Sequence, residues 1–219
     1  MIVVPAIIPT SKEHLFATLA PLRGVAKDIQ IDLVDGIYAG TPSWPWSAHD
    51  SFQEMCAAIT ELSHDFSIEV DLMVEEPEHY VDQLIEAGAS RLVIHIGSTK
   101  KLDSIVMHRN RVKIGFAFQN KTLLEMLERF AYSIDFVQCM GIAEIGAQGN
   151  GFDNRVLPRI KDIHTRYPSL EISVDGHVTM FTLSLLKDAG ATRFISGSAI
   201  FSTENSKTSF LQLQRLAEA

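Results

Sequence analysis

Two aspartates stand at the ends of β-prone runs, where burial makes a carboxylate costly. Asp32 lies in QIDLVDG (30–36) and Asp175 in LEISVDG (170–176), and Asp71 sits between apolar neighbours in EVDLM (69–73). Buried acids need a partner, a hydrogen bond or a cation. Several converging on one place raise each other's pKa or require a metal. Strand alternation puts Gln30 on the same face as Asp32, with Ile31 and Leu33 on the other. Two acids on separate strands suit general acid–base work on two faces of one substrate, so Asp32 and Asp175 are the expected proton-transfer pair. Asp35, just before Gly36, reads as structural, as a helix cap or the partner of a neighbouring cation.

A second group of residues suits an anion. GIAEIGAQGNGF (141–152) carries Gly141, Gly146, Gly149 and Gly151. DGHVT follows with Gly176 and His177, and SGSAIF with Gly197 and Ser198. Glycines let the backbone approach a ligand closely, and helix-start N–H groups facing a phosphate neutralise it without a lysine. The expected phosphate residues are Gly146, Gly149, Gly176, His177, Gly197 and Ser198.

These residues must be positioned by a regular scaffold, and the chain supplies one. β-rich runs are predicted at 2–8, 28–34, 67–74, 91–96, 111–118, 133–140, 170–175 and 192–197. Most are followed by a stretch with helical apolar spacing, at 11–22, 51–63, 76–88, 121–131, 154–167, 179–190 and 206–217. Eight strand–helix units in one uninterrupted chain predict an α/β fold, a single (β/α)8 TIM barrel spanning 1–219. An open doubly wound sheet fits less well, because no glycine-rich turn follows Ile8. In such a barrel the chemistry gathers at the C-terminal ends of the strands. There the sequence places Gln30, Asp32, Asp35, Asp71, His95, Gln119, Glu144, Gln148, Asp175 and Ser198.

Bulk properties narrow the function class. The 219 residues carry a formal charge of -8, which argues against a nucleic-acid partner. Cys56 and Cys139 are far apart in the sequence and read as buried thiols in a reducing compartment. The apolar start MIVVPAIIPT has no basic n-region and is read as a first strand. No run approaches the roughly 20 apolar residues of a membrane helix, so a cytoplasmic protein is expected. IYAGTPSWPWSAHD (37–50), with Trp44 and Trp46, is read as a packed segment or subunit contact, or else a rigid lid.

Taken as a set, these motifs resemble the ribulose-phosphate 3-epimerase family. The resemblance rests on Asp32 with Val34-Asp35-Gly36, Leu72-Met73-Val74-Glu75 with Pro77 and Tyr80, and Ala87-Gly88-Ala89 with His95. It continues through Gly115, Ala117 and Thr122, the glycine loop to Phe152 with Leu157-Pro158 and Ile160, Val174-Asp175-Gly176, and Gly197-Ser198-Ala199-Ile200-Phe201. It implies a ribulose-phosphate-binding barrel that interconverts ribulose 5-phosphate and xylulose 5-phosphate, or a close analogue. The route is an enediolate, with Asp32 and Asp175 exchanging the proton. It also implies a divalent metal held by a His-Asp-His-Asp set. Here Gln30 and Asp71 stand at the two histidine positions, Ala6 replaces a serine, Val34 a methionine and His177 a glycine. The implied metal set is then Gln30, Asp32, Asp71 and Asp175, all oxygen donors. Such a set favours Mg or Mn over Zn, or stays metal-free with acids protonated. The expected partner is a phosphorylated sugar, with no nucleic acid or membrane and a possible homo-oligomer. The alternatives are a non-catalytic sugar-phosphate-binding paralogue, or another enediolate reaction of aldolase or decarboxylase type. Against the latter, Met73 stands where an Asp-x-Lys motif would place its lysine.

Overall fold

A computed structural model describes residues 1–146 and 151–219. Eight parallel strands pair in sequence order and close into a barrel: β1 (Ile2–Ile7), β2 (Asp28–Val34), β3 (Ser67–Met73), β4 (Arg91–His95), β5 (Lys113–Phe118), β6 (Phe136–Met140), β7 (Glu171–Asp175) and β8 (Arg193–Ser196). The helices lie between them: α1 (Lys12–Leu19), α2 (Phe52–Leu62), α3 (Val81–Glu86), α4 (Leu102–Val106), α5 (Glu125–Glu128), α6 (Val156–Arg166), α7 (Leu183–Ala189), α8 (Ser198–Phe201) and α9 (Ser206–Glu218). The predicted barrel is the one observed. The largest difference in an element is α5, a single turn where the spacing predicted a helix over 121–131.

Period two sorts each strand into two environments. On β2, Ile29, Ile31 and Leu33 join the core beneath the helices, while Val34 packs inside the barrel with Met73, Val93, Phe136 and Met140. The helices answer with one apolar stripe each; α2 buries Met55, Ala58, Ile59 and Leu62, at i, i+3, i+4 and i+7. Ser11 caps α1 by accepting from the His14 N–H, and Asn205 caps α9 by accepting from the Thr208 N–H. Gly115 leaves its inward position empty so that the Phe136 ring can occupy it; a Cβ there would overlap the ring.

The lower barrel interior is ionic, which the hydrophobic pattern did not announce. The Arg91 side chain, 7% exposed, places Nε 2.5 Å from Glu69 Oε2 and Nη2 2.5 Å from Glu171 Oε1. Its guanidinium also lies 3.8 Å from the centre of the Phe136 ring. Arg193, also buried, adds Nε 3.5 Å from Glu69 Oε2 and Nη1 3.6 Å from Asp28 Oδ1. Burial alone would lower the Arg91 pKa, but Glu69 and Glu171 raise it, so the arginine stays charged.

The segment after β2 is packed onto its own barrel. The Trp44 ring is buried, its indole N–H donates to Asp50 Oδ2 at 2.6 Å, and its backbone N–H donates to the Pro9 carbonyl. Trp46 meets Tyr80 edge-on at 5.6 Å and stacks obliquely on Phe52 at 5.8 Å. Packing is therefore the role these contacts support. Among the described residues, no helix is long and apolar enough to cross a membrane.

Candidate active site

The barrel mouth collects the three strand-borne acids. Carboxylate oxygens of Asp32, Asp71 and Asp175 lie within 4.8 Å of one another. Register explains how: Asp32 pairs with Asp71 across β2 and β3, and Asp175 faces inward at the end of β7. Amide groups stand between the carboxylates. Gln30 Nε2 donates to Asp32 Oδ1 at 2.7 Å and to Asp175 Oδ2 at 3.1 Å. Gln138 Nε2, on β6, donates to Asp71 Oδ2 at 2.7 Å and reaches Asp175 Oδ2 at 3.5 Å. His95 Nε2 pairs with the other Asp71 oxygen at 3.0 Å, and the Tyr38 ring leans on the imidazole at 5.6 Å.

Depth divides this group. Gln30, Asp71, His95 and Gln138 are fully buried, whereas Asp32 and Asp175 line a cleft at the barrel mouth. Ala6, Ile8, Met73, Met140 and Ile142 supply its apolar walls. Gly146, Gly176, His177, Gly197 and Ser198 form its far side. Five of the six expected phosphate residues thus share one cleft with the two acids; Gly149 and Gln148 lie outside the described residues. Gln119 and Glu144 do not line the cleft.

Asp35 serves neither as a helix cap nor as a cation's partner. Its Oδ1 accepts from the N–H groups of Ile37 and Tyr38, and its Oδ2 from that of Glu75. It is structural as expected, but by binding loop backbone. Gln138 was missed. Its signal in the sequence is FVQCM, a polar residue alternating inward between Phe136 and Met140 but below the strand end.

Burial raises the pKa of Asp32 well above the carboxylate range, helped by the charges of Asp175 and Asp71 and opposed by the Gln30 hydrogen bond. Burial and Asp71 push Asp175 up to about 7, again against Gln30. A carboxyl with a raised folded pKa stabilises the protein while protonated. That contribution is complete below the ordinary value of 3.8 and disappears as pH rises through about 7. Chelator-treated protein is therefore expected to lose thermal stability between pH 6 and 8, and Asp175→Asn to flatten that fall. A midpoint that rises over this range would contradict the pKa assignment.

At the cleft wall His177 adopts φ 53, a left-handed backbone conformation that glycine tolerates better. His177→Gly is expected to stabilise the fold by about 1 kcal/mol, read as a higher melting temperature. A lower melting temperature would show that contacts of the side chain, which lies 6.1 Å from the Phe152 ring, outweigh the backbone strain.

Comparison with known proteins follows the same lines. Residues 3–201 match the ribulose-phosphate 3 epimerase family. The chain belongs to this family. The ribulose-phosphate 3-epimerase of Bacillus subtilis is 25% identical over 214 residues, 94% of this chain and 98% of that protein. The enzyme of the same name from Schizosaccharomyces pombe is 35% identical over 136 residues, a match covering 61% of this chain and 59% of that protein. Among solved structures, 3-keto-L-gulonate-6-phosphate decarboxylase from Vibrio cholerae superposes with a TM-score of 0.74 at 14% identity, covering 100% of this chain and 97% of that one. KGPDC from Streptococcus mutans, solved with D-R5P, gives 0.73 at 13% identity, covering 99% and 96%. These two likenesses show a shared barrel fold. Membership of the epimerase family supports an enzyme.

Proposed function

We propose that this chain is a ketose-phosphate 3-epimerase acting on ribulose 5-phosphate, xylulose 5-phosphate or a close analogue. One observation carries the reading: of the buried polar group at the mouth, Asp32 and Asp175 alone open into the cleft that also holds Gly176, Gly197 and Ser198. Asp32 Oδ1 and Asp175 Oδ2 both accept from the Gln30 amide, which holds the two carboxyls together at the cleft. One carboxylate removes the proton on the carbon beside the ketose carbonyl, leaving an enediolate. The other, protonated beforehand, returns a proton to the opposite face. Raised pKa values suit this division, because one acid can hold a proton near neutrality while the other is ionised. The peptide N–H groups at Gly176, His177, Gly197 and Ser198 receive the phosphate.

The donor set also fits a divalent cation. Three carboxylate oxygens within 4.8 Å and a buried Gln30 Oε1, without a hydrogen-bond partner among the described residues, form an oxygen-only group. Such donors favour Mg or Mn over Zn. Asp32, Asp71, Asp175 and Gln30 are the residues that would hold the ion. Bound there, it would polarise the substrate carbonyl and offset the enediolate charge. The deciding experiment measures deuterium incorporation from solvent at C3 of ribulose 5-phosphate with Mg, with Mn and with chelator. Exchange under any of these conditions supports epimerisation. Phosphate-sensitive ligand binding with no exchange under all three would favour the binding paralogue.

A further inference from the structure

Gln138 has no part in the reading above, yet its surroundings match those of Gln30. It is fully buried on the inward face of β6, next to Ala117 on β5 and Ser173 on β7. Its Nε2 meets Asp71 and approaches Asp175, while its Oε1 has no hydrogen-bond partner among the described residues. Leaving a buried amide oxygen unpaired is costly, so a residue kept this way has unused acceptor capacity. The two glutamines thus bracket the acid cluster, Gln30 between Asp32 and Asp175, Gln138 between Asp71 and Asp175.

The spacings suit a shared ligand. The amide heads stand 2.7, 3.1, 2.7 and 3.5 Å from the carboxylate oxygens they face. Neighbouring oxygens around a small hard cation with ~2.1 Å bonds are ~3 Å apart. The terminal torsion of glutamine is broad, so an amide can turn its oxygen toward the acids when a positive charge is present. In the structure the NH2 end of each amide faces the carboxylates.

We propose that Gln138 is a further ligand of the cation centre, and that the Gln30–Gln138 amide pair sets its preference for Mn and Mg over Zn. This deepens the metal assignment made above and rests on it. Amide oxygens add donors without adding negative charge, so three carboxylates and two amides would supply five oxygens, with the sixth octahedral position left to substrate or water. Zn, content with four ligands and favouring nitrogen or sulfur, gains least from the additional amide.

The test is Mn binding to the chelator-stripped protein, followed by the paramagnetic resonance signal of free Mn and repeated in competition with Zn. Gln138→Met keeps the volume and removes the amide; it is expected to weaken Mn binding roughly 10-fold or more and to lower the Mn-to-Zn affinity ratio. Gln138→Glu is expected to strengthen Mn binding. Circular dichroism confirms that both variants fold. Wild-type Mn affinity and ratio in a folded Gln138→Met protein would overturn the proposal, as would a wild-type protein that binds neither ion. An equal loss of Mn and Zn would also overturn it, since it would mark Gln138 as support for Asp71 alone. Deuterium exchange in the same variants separates the two claims: exchange that persists with unchanged Mn affinity removes the Gln138 ligand and leaves the epimerase reading intact.

Discussion

Asp175→Asn and Asp32→Asn are each expected to lower proton exchange at C3 by roughly 10²–10⁴-fold, the usual weight of a positioned acid or base. Asparagine keeps the shape of aspartate and can still hydrogen-bond, so both proteins should fold and retain substrate. Neither can carry the transferred proton. The two variants are also expected to differ from one another. In a two-sided mechanism, each should impair removal of the proton from one epimer and the protonation that re-forms that same epimer. Single-turnover exchange measured separately on ribulose 5-phosphate and xylulose 5-phosphate would show this asymmetry. Identical residual behaviour with both substrates would mean that one acid serves both faces, and the two-sided scheme would have to be abandoned. The pH profile supplies a further check, because activity requires one acid ionised and the other protonated. With chelator present, the rate is expected to rise with the ionisation of Asp175 near pH 7.

The largest expected effect on stability lies far from the chemistry. Arg91→Met removes, among the described residues, the only positive group within 3 Å of Glu69 and Glu171 while leaving both acids in place. Glu69 is fully buried and keeps only Arg193, 3.5 Å away. Breaking a buried pair on one side costs roughly 3–5 kcal/mol, because the remaining charge stays desolvated. The Arg91 stacking on Phe136 is lost as well. A shift of the denaturant midpoint of that size is expected in Arg91→Met. Arg91→Met combined with Glu69→Leu should recover part of the loss, since no unpaired buried carboxylate would remain and Arg193 would keep Asp28. If the single variant unfolds at the wild-type midpoint, the ionic layer does not hold the barrel together.

The contrast between these two sites shows what the sequence disclosed. Barrel, strand order and the Asp32–Asp175 pair follow from period-two alternation and from acids placed where strands end, both visible in a linear string. Arg91 and Arg193 open their strands, where a charged residue looks like the solvated lip of a barrel. Only closure of the sheet turns those positions inward beside Glu69. Gln138 escaped for a related reason: one uncharged polar residue among FVQCM looks innocuous until Asp71 and Asp175 arrive from other strands. Asp35 was recognised as structural, but its partners are backbone N–H groups 2, 3 and 40 residues away, and the last of these cannot be inferred from local spacing.

That last carboxylate links two connections that would otherwise move separately. The amides of Ile37 and Tyr38, after β2, and of Glu75, after β3, share one acceptor side chain. In hydrogen-exchange terms the three protons belong to one opening event: releasing Asp35 exposes all of them together, and none has a private route to solvent through that bond. Tyr38, which leans on His95 over the acid cluster, is carried on this joined unit. Opening at Asp35 is therefore expected to be felt at His95 through the Tyr38 ring that leans on it.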